Sequence, residues 1–290
     1  MQEVEIMNEK PGAASEKFRQ PSFLTPKVIA VTSGKGGVGK TNAVANLAVS
    51  LASLGKSVVI LDADLGLGNL DVLFGLIPKY TIEHVVLGER RLSEVMMEGP
   101  KGIRILPTSS GSEDMTQLTP EQKLILLTEL EHLEKSVDVF LIDTAAGISS
   151  NVLYFNTVAQ EIIVIVSPEP TSITDAYAIM KILSKRHGEK RFRLLVNMAG
   201  NPREAKEVFR KLTLVSDQFL NISIDYIGFI PLDDYLRMSV REQKSVVDLH
   251  PLAPSSQRFL QLAEDILEWP TLEIPKGNIQ FFWKQLLNGR

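Results

Sequence analysis

Val28-Ile29-Ala30-Val31-Thr32-Ser33-Gly34-Lys35-Gly36-Gly37-Val38-Gly39-Lys40-Thr41 carries an apolar, β-branched run into a glycine-rich turn and out into a helical segment. From Gly34 to Thr41 it matches the phosphate-binding spacing G-x-x-x-x-G-K-[ST], in the strand–loop–helix setting that spacing requires. Gly36, Gly37 and Gly39 permit a backbone that turns successive N–H groups inward. Those donors and the helix N-terminus together make an anion cradle. Gly34 and Val38 complete the loop, Asn42 opens the helix behind it, Lys40 is placed to reach β- and γ-phosphates, and Thr41 Oγ to ligate Mg²⁺.

The chain around this stretch alternates in the same way. Short Val- and Ile-rich runs at 28–32, 57–61, 103–106, 137–142, 161–166, 192–196 and 226–230 are spaced by helical segments near 41–54, 120–135, 172–187, 202–219, 234–243 and 256–267. Several runs are apolar on both faces, as strands covered by helices on both sides must be. The expected fold is α/β: a single doubly wound, mostly parallel sheet with helices on both faces. Residues 1–26, broken by Pro11, Gly12, Pro21 and Pro26, are expected to form a flexible tail, residues 27–270 the domain, and 271–290 a linker and a last helix.

Two acidic segments belong at strand ends on the phosphate side, where α/β sheets hold their ligands. Leu61-Asp62-Ala63-Asp64-Leu65-Gly66-Leu67-Gly68-Asn69-Leu70-Asp71 follows the second run, and its carboxylates can face Mg²⁺ and an attacking water. Val137-Asp138-Val139-Phe140-Leu141-Ile142-Asp143 is an apolar strand ending in an acid, which puts Asp143 near Mg²⁺. Thr144-Ala145-Ala146-Gly147-Ile148 then reads as a loop hinged at Gly147. Asn197 ends the strand at 193–196, and its amide has the donor and acceptor to read adenine. No guanine-reading Asn-Lys-x-Asp sequence is present, so ATP is expected over GTP.

With Lys35 inside the loop, the form Lys-Gly-Gly-x-Gly-Lys-Thr resembles the deviant Walker A motif of the MinD/ParA class of ATPases, over about residues 27–270. The resemblance implies an ATP hydrolase using ATP and Mg²⁺ as a homodimer when ATP is bound. It implies that Lys35 acts across the dimer on the partner's nucleotide, as an arginine finger does, and that Asp64 positions the water. It also implies that Asp62 supports Mg²⁺ with Thr41 and Asp143, and that Asn197 and Pro231, beside Leu232 and Asp233, contact the base. Lys40-Thr41-Asn42, the 62–73 segment and Ile142-Asp143-Thr144-Ala145-Ala146-Gly147-Ile148-Ser149 are most similar to the flagellar-number branch, the FlhG or FleN type. That branch implies control of flagellar placement or number, with an FlhF-type GTPase and flagellar switch components as partners. Division-site ATPases of the MinD type and DNA-partition ATPases of the ParA type are the alternatives.

Composition trims the field. The chain has 290 residues and no cysteine, which excludes disulfides, thiolate metal sites and iron–sulfur clusters. Its four histidines are scattered without metal-ligand spacing. A net charge of −4 argues against a broad nucleic-acid footprint, so DNA is not an expected partner. Without a secretory-type leader or an apolar span, a cytoplasmic location is expected. Ile279, Phe282, Trp283, Leu286 and Leu287 form one apolar helical stripe flanked by Lys276, Lys284 and Arg290. Such a stripe suits a helix lying in the plane of a membrane, and equally one docked on its own domain. The first reading makes the protein peripheral to the inner face of the cell membrane. The basic run Lys185-Arg186-His187-Gly188-Glu189-Lys190-Arg191 reads as a solvated helix end.

Overall fold

The computed structural model describes residues 26–108, 118–131 and 137–270. Residues 1–25, nearly all of the expected tail, and 271–290, with the expected apolar stripe, lie outside the described residues. The described chain runs β1 (Lys27–Ser33), α1 (Lys40–Ser53) and β2 (Val58–Ala63), then three short helices, α2 (Leu70–Leu73), α3 (Ile82–Val86) and α4 (Leu92–Val95). β3 (Met97–Glu98), a 3-10 turn and β4 (Arg104–Leu106) follow, then α5 (Pro120–Glu131), β5 (Val139–Ala146), α6 (Ser150–Val158) and β6 (Glu161–Val166). The last part is α7 (Pro170–His187), β7 (Arg191–Ala199), α8 (Pro202–Phe219), β8 (Ser223–Pro231), α9 (Asp234–Arg241), α10 (Val246–Leu249) and α11 (Pro254–Glu268).

The strands form one sheet of order β3-β4-β2-β5-β1-β6-β7-β8. Every pairing is parallel except β3 with β4. Alternation along the strands sends Ile29, Val31, Ile60 and Leu141 to one face, packed with α1 and α11. Ala30, Val59, Leu61, Phe140 and Ile142 go to the other, under α3, α5 and α6, and α7 and α8 cover the same side farther along. The doubly wound expectation holds, with one antiparallel edge strand added.

The short helices α2, α3, α4 and α10 and the edge strand β3 lie outside the sequence reading, and two larger departures have a physical reason. α6 was not expected, because Val152, Tyr154, Phe155, Thr157 and Val158 are β-branched or aromatic and carry little helical propensity. Burial of Val152, Phe155 and Val158 against the sheet outweighs that, and Ser149 Oγ accepts from Val152 N at 3.4 Å as the N-cap. β5 runs on through Thr144, Ala145 and Ala146, so the hinge loop begins only at Gly147, whose φ is 92° and whose N–H donates to Ser33 O at 3.0 Å. The basic run behaves as expected: Lys185 and Arg186 are exposed in the last turn of α7, and Gly188 ends the helix in the left-handed conformation.

Candidate nucleotide site

The loop Gly34–Gly39 joins β1 to α1 at the carboxyl end of the sheet. Gly37 and Gly39 have φ of 80° and 81°, the left-handed region that favours glycine. A Cβ on Gly36 or Gly37 would meet nothing within 4 Å, so the inner side of the loop is open. A Cβ on Gly34 would stand 2.1 Å from Asp175 O of α7, and one on Gly39 2.4 Å from Asn197 Nδ2. Packing thus demands glycine at the first and last positions, and the left-handed backbone favours it at Gly37 and Gly39.

A cleft of about 640 Å³ opens over this loop. Lys35, Gly36, Gly37, Val38, Gly39, Lys40 and Thr41 line it with Asn42 and Asp64, so residues that the sequence reading assigns to nucleotide and water share one cleft. Sequence reasoning missed Val72 of α2, Met198 near the end of β7, and Val240, Arg241 and Gln243 at and just after the end of α9, which close its sides. No local sequence pattern marks Met198 or Gln243: their φ values of 58° and 53° arise at the register shift near the end of β7 and in the turn after α9.

Parallel pairing sets the carboxylates. Asp62 and Asp143 are register partners on β2 and β5, side by side and 2% and 1% exposed. Lys40 Nζ donates to Asp143 Oδ1 at 2.9 Å. Burial and the neighbouring Asp143 push the Asp62 carboxyl up to about 8. Both Asp62 oxygens serve its own loop: Oδ1 accepts from Asp64 N at 3.2 Å, and Oδ2 from Asn69 N at 3.0 Å and Leu70 N at 3.2 Å. Asp62 therefore braces the turn that presents Asp64 and starts α2. Asp64 lies half-buried in the cleft, its pKa raised by burial and by Asp143 against the pull of Lys40.

Lys35 points elsewhere. Its Nζ ion-pairs with Glu169 and donates to Thr171 Oγ1 at 3.0 Å, at the start of α7. Asn197 also has another partner. Its Nδ2 donates to Val38 O at 2.7 Å, and its Oδ1 is buried without a hydrogen-bond partner. The side chain stands behind the phosphate loop as a strut, where the sequence suggested a base reader. Pro231 ends β8 next to Ala199. Asp233 joins helices, accepting from Tyr235 N at 2.9 Å and from Ser255 N at 3.0 Å. Base contact by Asn197 would fall to its Oδ1, since Nδ2 is already engaged by Val38 O.

The residues present fit a Mg²⁺–nucleotide: a glycine loop, Lys35, Lys40, Thr41 and the Asp64 carboxylate line one cleft, with Asp143 held on Lys40 beneath it. Among the described residues no separate cluster of His, Asp and Glu has the form of a metal site.

The family described as "ParA: NUBPL iron-transfer P-loop NTPase" matches residues 25–267. The chain is 46% identical over 271 residues to the antiactivator FleN of Pseudomonas aeruginosa, covering 93% of this chain and 97% of that one. It is 37% identical to the flagellum site-determining protein YlxH of Helicobacter pylori, covering 90% of each. Among solved structures it resembles the septum site-determining protein MinD complexed with Mg-ADP from Pyrococcus horikoshii, with TM-score 0.68 and 25% identity over 84% of this chain and 96% of that one. The MinC:MinD cell division complex of Aquifex aeolicus is similar at TM-score 0.68 and 28% identity, covering 86% of this chain and 100% of that one.

Proposed function

The chain belongs to the ParA/MinD family of P-loop NTPases, and from that premise we propose that it is an ATP-dependent homodimeric switch that sets the number or placement of flagella. The names of its FleN and YlxH relatives support the flagellar output. The iron transfer in the family description does not carry over to a chain without cysteine, since cluster ligation needs thiolates.

The observation that carries the reading is the division of labour between two lysines of one loop. Lys40 is buried on Asp143, inside its own cleft, whereas Lys35 is exposed at the rim and held by Glu169 and Thr171. A lysine on the rim suits delivery of charge to a second subunit.

In hydrolysis, water attacks the γ-phosphorus and the bond to the β–γ bridging oxygen breaks, giving ADP and phosphate. Backbone N–H groups of Gly36, Gly37 and Gly39 hold the phosphates, and Lys40 moves from Asp143 onto the β- and γ-oxygens. Thr41 and the carboxylate so released on Asp143 would hold Mg²⁺, braced by Asp62. The metal, when bound, supplies charge neutralisation to the phosphates. Asp64 orients the water, and Lys35 of each subunit stabilises charge on the other's nucleotide. Two C-terminal stripes on one dimer would bind lipid with avidity about 10²–10⁴ above a single one, so dimerisation becomes membrane binding.

The test is the molar mass of Asp64→Ala by light scattering with Mg²⁺ and ATP, then ADP. A dimer in ATP alone is expected, binding vesicles only while residues 277–290 are present. A monomer in both nucleotides overturns the switch. ATP-dependent, salt-sensitive retention on DNA would favour the partition reading instead.

A further inference from the structure

α2 is a single turn of helix and carries the far end of the loop that presents Asp64. A helix so short has no stability of its own and lies where its anchors put it. Leu70 and Leu73 anchor it to the core. At its N-terminal end the anchor is Asp62, through Asn69 N and Leu70 N. At its other end it is Gln243, whose Nε2 donates to Val72 O at 2.8 Å. Gln243 sits in the turn after α9 at φ 53°, a left-handed conformation that a glutamine adopts only at a cost. Gly75, at φ 63°, turns the chain out of α2 alongside the Gln243 side chain, where a Cβ would stand in ordinary contact at 3.6 Å.

The same turn is pinned to the phosphate-loop helix on its other side. Asn46 Oδ1 accepts from Ser245 Oγ and Val246 N, each at 2.8 Å. Asn46 Nδ2 in turn donates to Asn42 O, one residue beyond Thr41, at 2.8 Å. Gln243 and Val72 both line the cleft. The turn is therefore tied to α1 by Asn46 and to α2 by Gln243, across the mouth of the nucleotide site.

We propose that Gln243 is a positioning residue for hydrolysis, holding α2, and through it Asp64, in register with the phosphate loop. The proposal rests on the ATPase reading above. Gln243 touches neither phosphate nor water in this role, and its effect belongs in turnover, with nucleotide affinity spared.

Two variants of the full chain separate the amide from the backbone. Gln243→Glu keeps the shape and loses the donor. Gln243→Gly loses the whole side chain and relieves the left-handed backbone, so its fold is retained. For each, kcat and KM for ATP are measured with vesicles present, with ADP affinity, melting temperature and amide hydrogen exchange. Both variants are expected to lose kcat about fivefold while KM and ADP affinity stay within about twofold, the pattern of a group that acts on the reacting geometry. Exchange at the Leu73 and Phe74 amides rises in both, and the melting temperature of Gln243→Gly does not fall. Wild-type kcat in both variants, or a loss of kcat without faster exchange in α2, overturns the proposal while leaving the ATPase reading intact. A wild-type chain that binds and turns over no ATP removes the ATPase reading and this proposal with it.

Discussion

Lys40 Nζ stands 2.9 Å from Asp143 Oδ1, and the two side chains are 8% and 1% exposed. The phosphate-loop lysine thus neutralises the β5 carboxylate from within the same chain. Removing one partner strands the other charge in the interior, at a cost of about 3–5 kcal/mol. Lys40→Met is expected to melt well below wild type without nucleotide, because Asp143 is then left beside Asp62. The double variant Lys40→Met, Asp143→Asn should recover part of that loss. A double-mutant cycle by denaturant unfolding that gave no coupling would contradict the pairing.

The Lys35–Glu169 pair predicts the opposite for stability. Its side chains are 36% and 63% exposed, and an exposed ion pair contributes about 0–1 kcal/mol. Glu169→Ala and Lys35→Ala should therefore melt close to wild type. Lys35→Ala should nevertheless lose ATP turnover, since the loop's other lysine, Lys40, is committed to its own cleft on Asp143. Activity retained in Lys35→Ala would remove its proposed role across the dimer.

The glycines of the loop are not equivalent. In Gly34→Ala the new Cβ meets the backbone of Asp175, at 2.1 Å from its O and 2.2 Å from its C, so either β1 or α7 must shift. In Gly36→Ala the methyl group meets no atom within 4 Å. Thermal melts should show Gly34→Ala strongly destabilised and Gly36→Ala near wild type, with any loss in the latter confined to nucleotide binding. Equal melting temperatures would refute the packing account.

Asp62 predicts a pH dependence with a definite sign. An ordinary aspartate titrates near 3.8, whereas Asp62 is pushed up to about 8 by burial and by Asp143. Between those values the folded chain keeps a proton that the unfolded chain has released. Stability must therefore fall as pH rises through this window and level off above it. Melting temperatures from pH 5 to 9 without nucleotide should show that slope, and Asp62→Asn should flatten it. Parallel curves for the two proteins would argue that Asp62 is ionised throughout.

Much of the site was readable before folding because its parts are local. Glycines at fixed offsets, a strand before them and a helix after them are all the cradle needs, and Asp64 and Asp143 mark the ends of apolar runs. Asn197 shows the limit. Its position at a strand end was legible, yet an amide serves a base or a backbone carbonyl equally well. Only packing shows that Val38, 159 residues away, takes the donor. α6 was hidden for a related reason: its propensity is weak, and burial supplies its stability.

The fold class, the phosphate loop and the acids that follow the apolar runs were determined by sequence alone, because each depends on backbone freedom and periodicity within a few consecutive residues. Tertiary structure decided where the side chains spend their hydrogen bonds. Lys35 meets Glu169 across 134 residues, and Gln243 meets Val72 across 171. No local pattern encodes such pairs, because they exist only once the parallel sheet has brought distant strand ends to one edge.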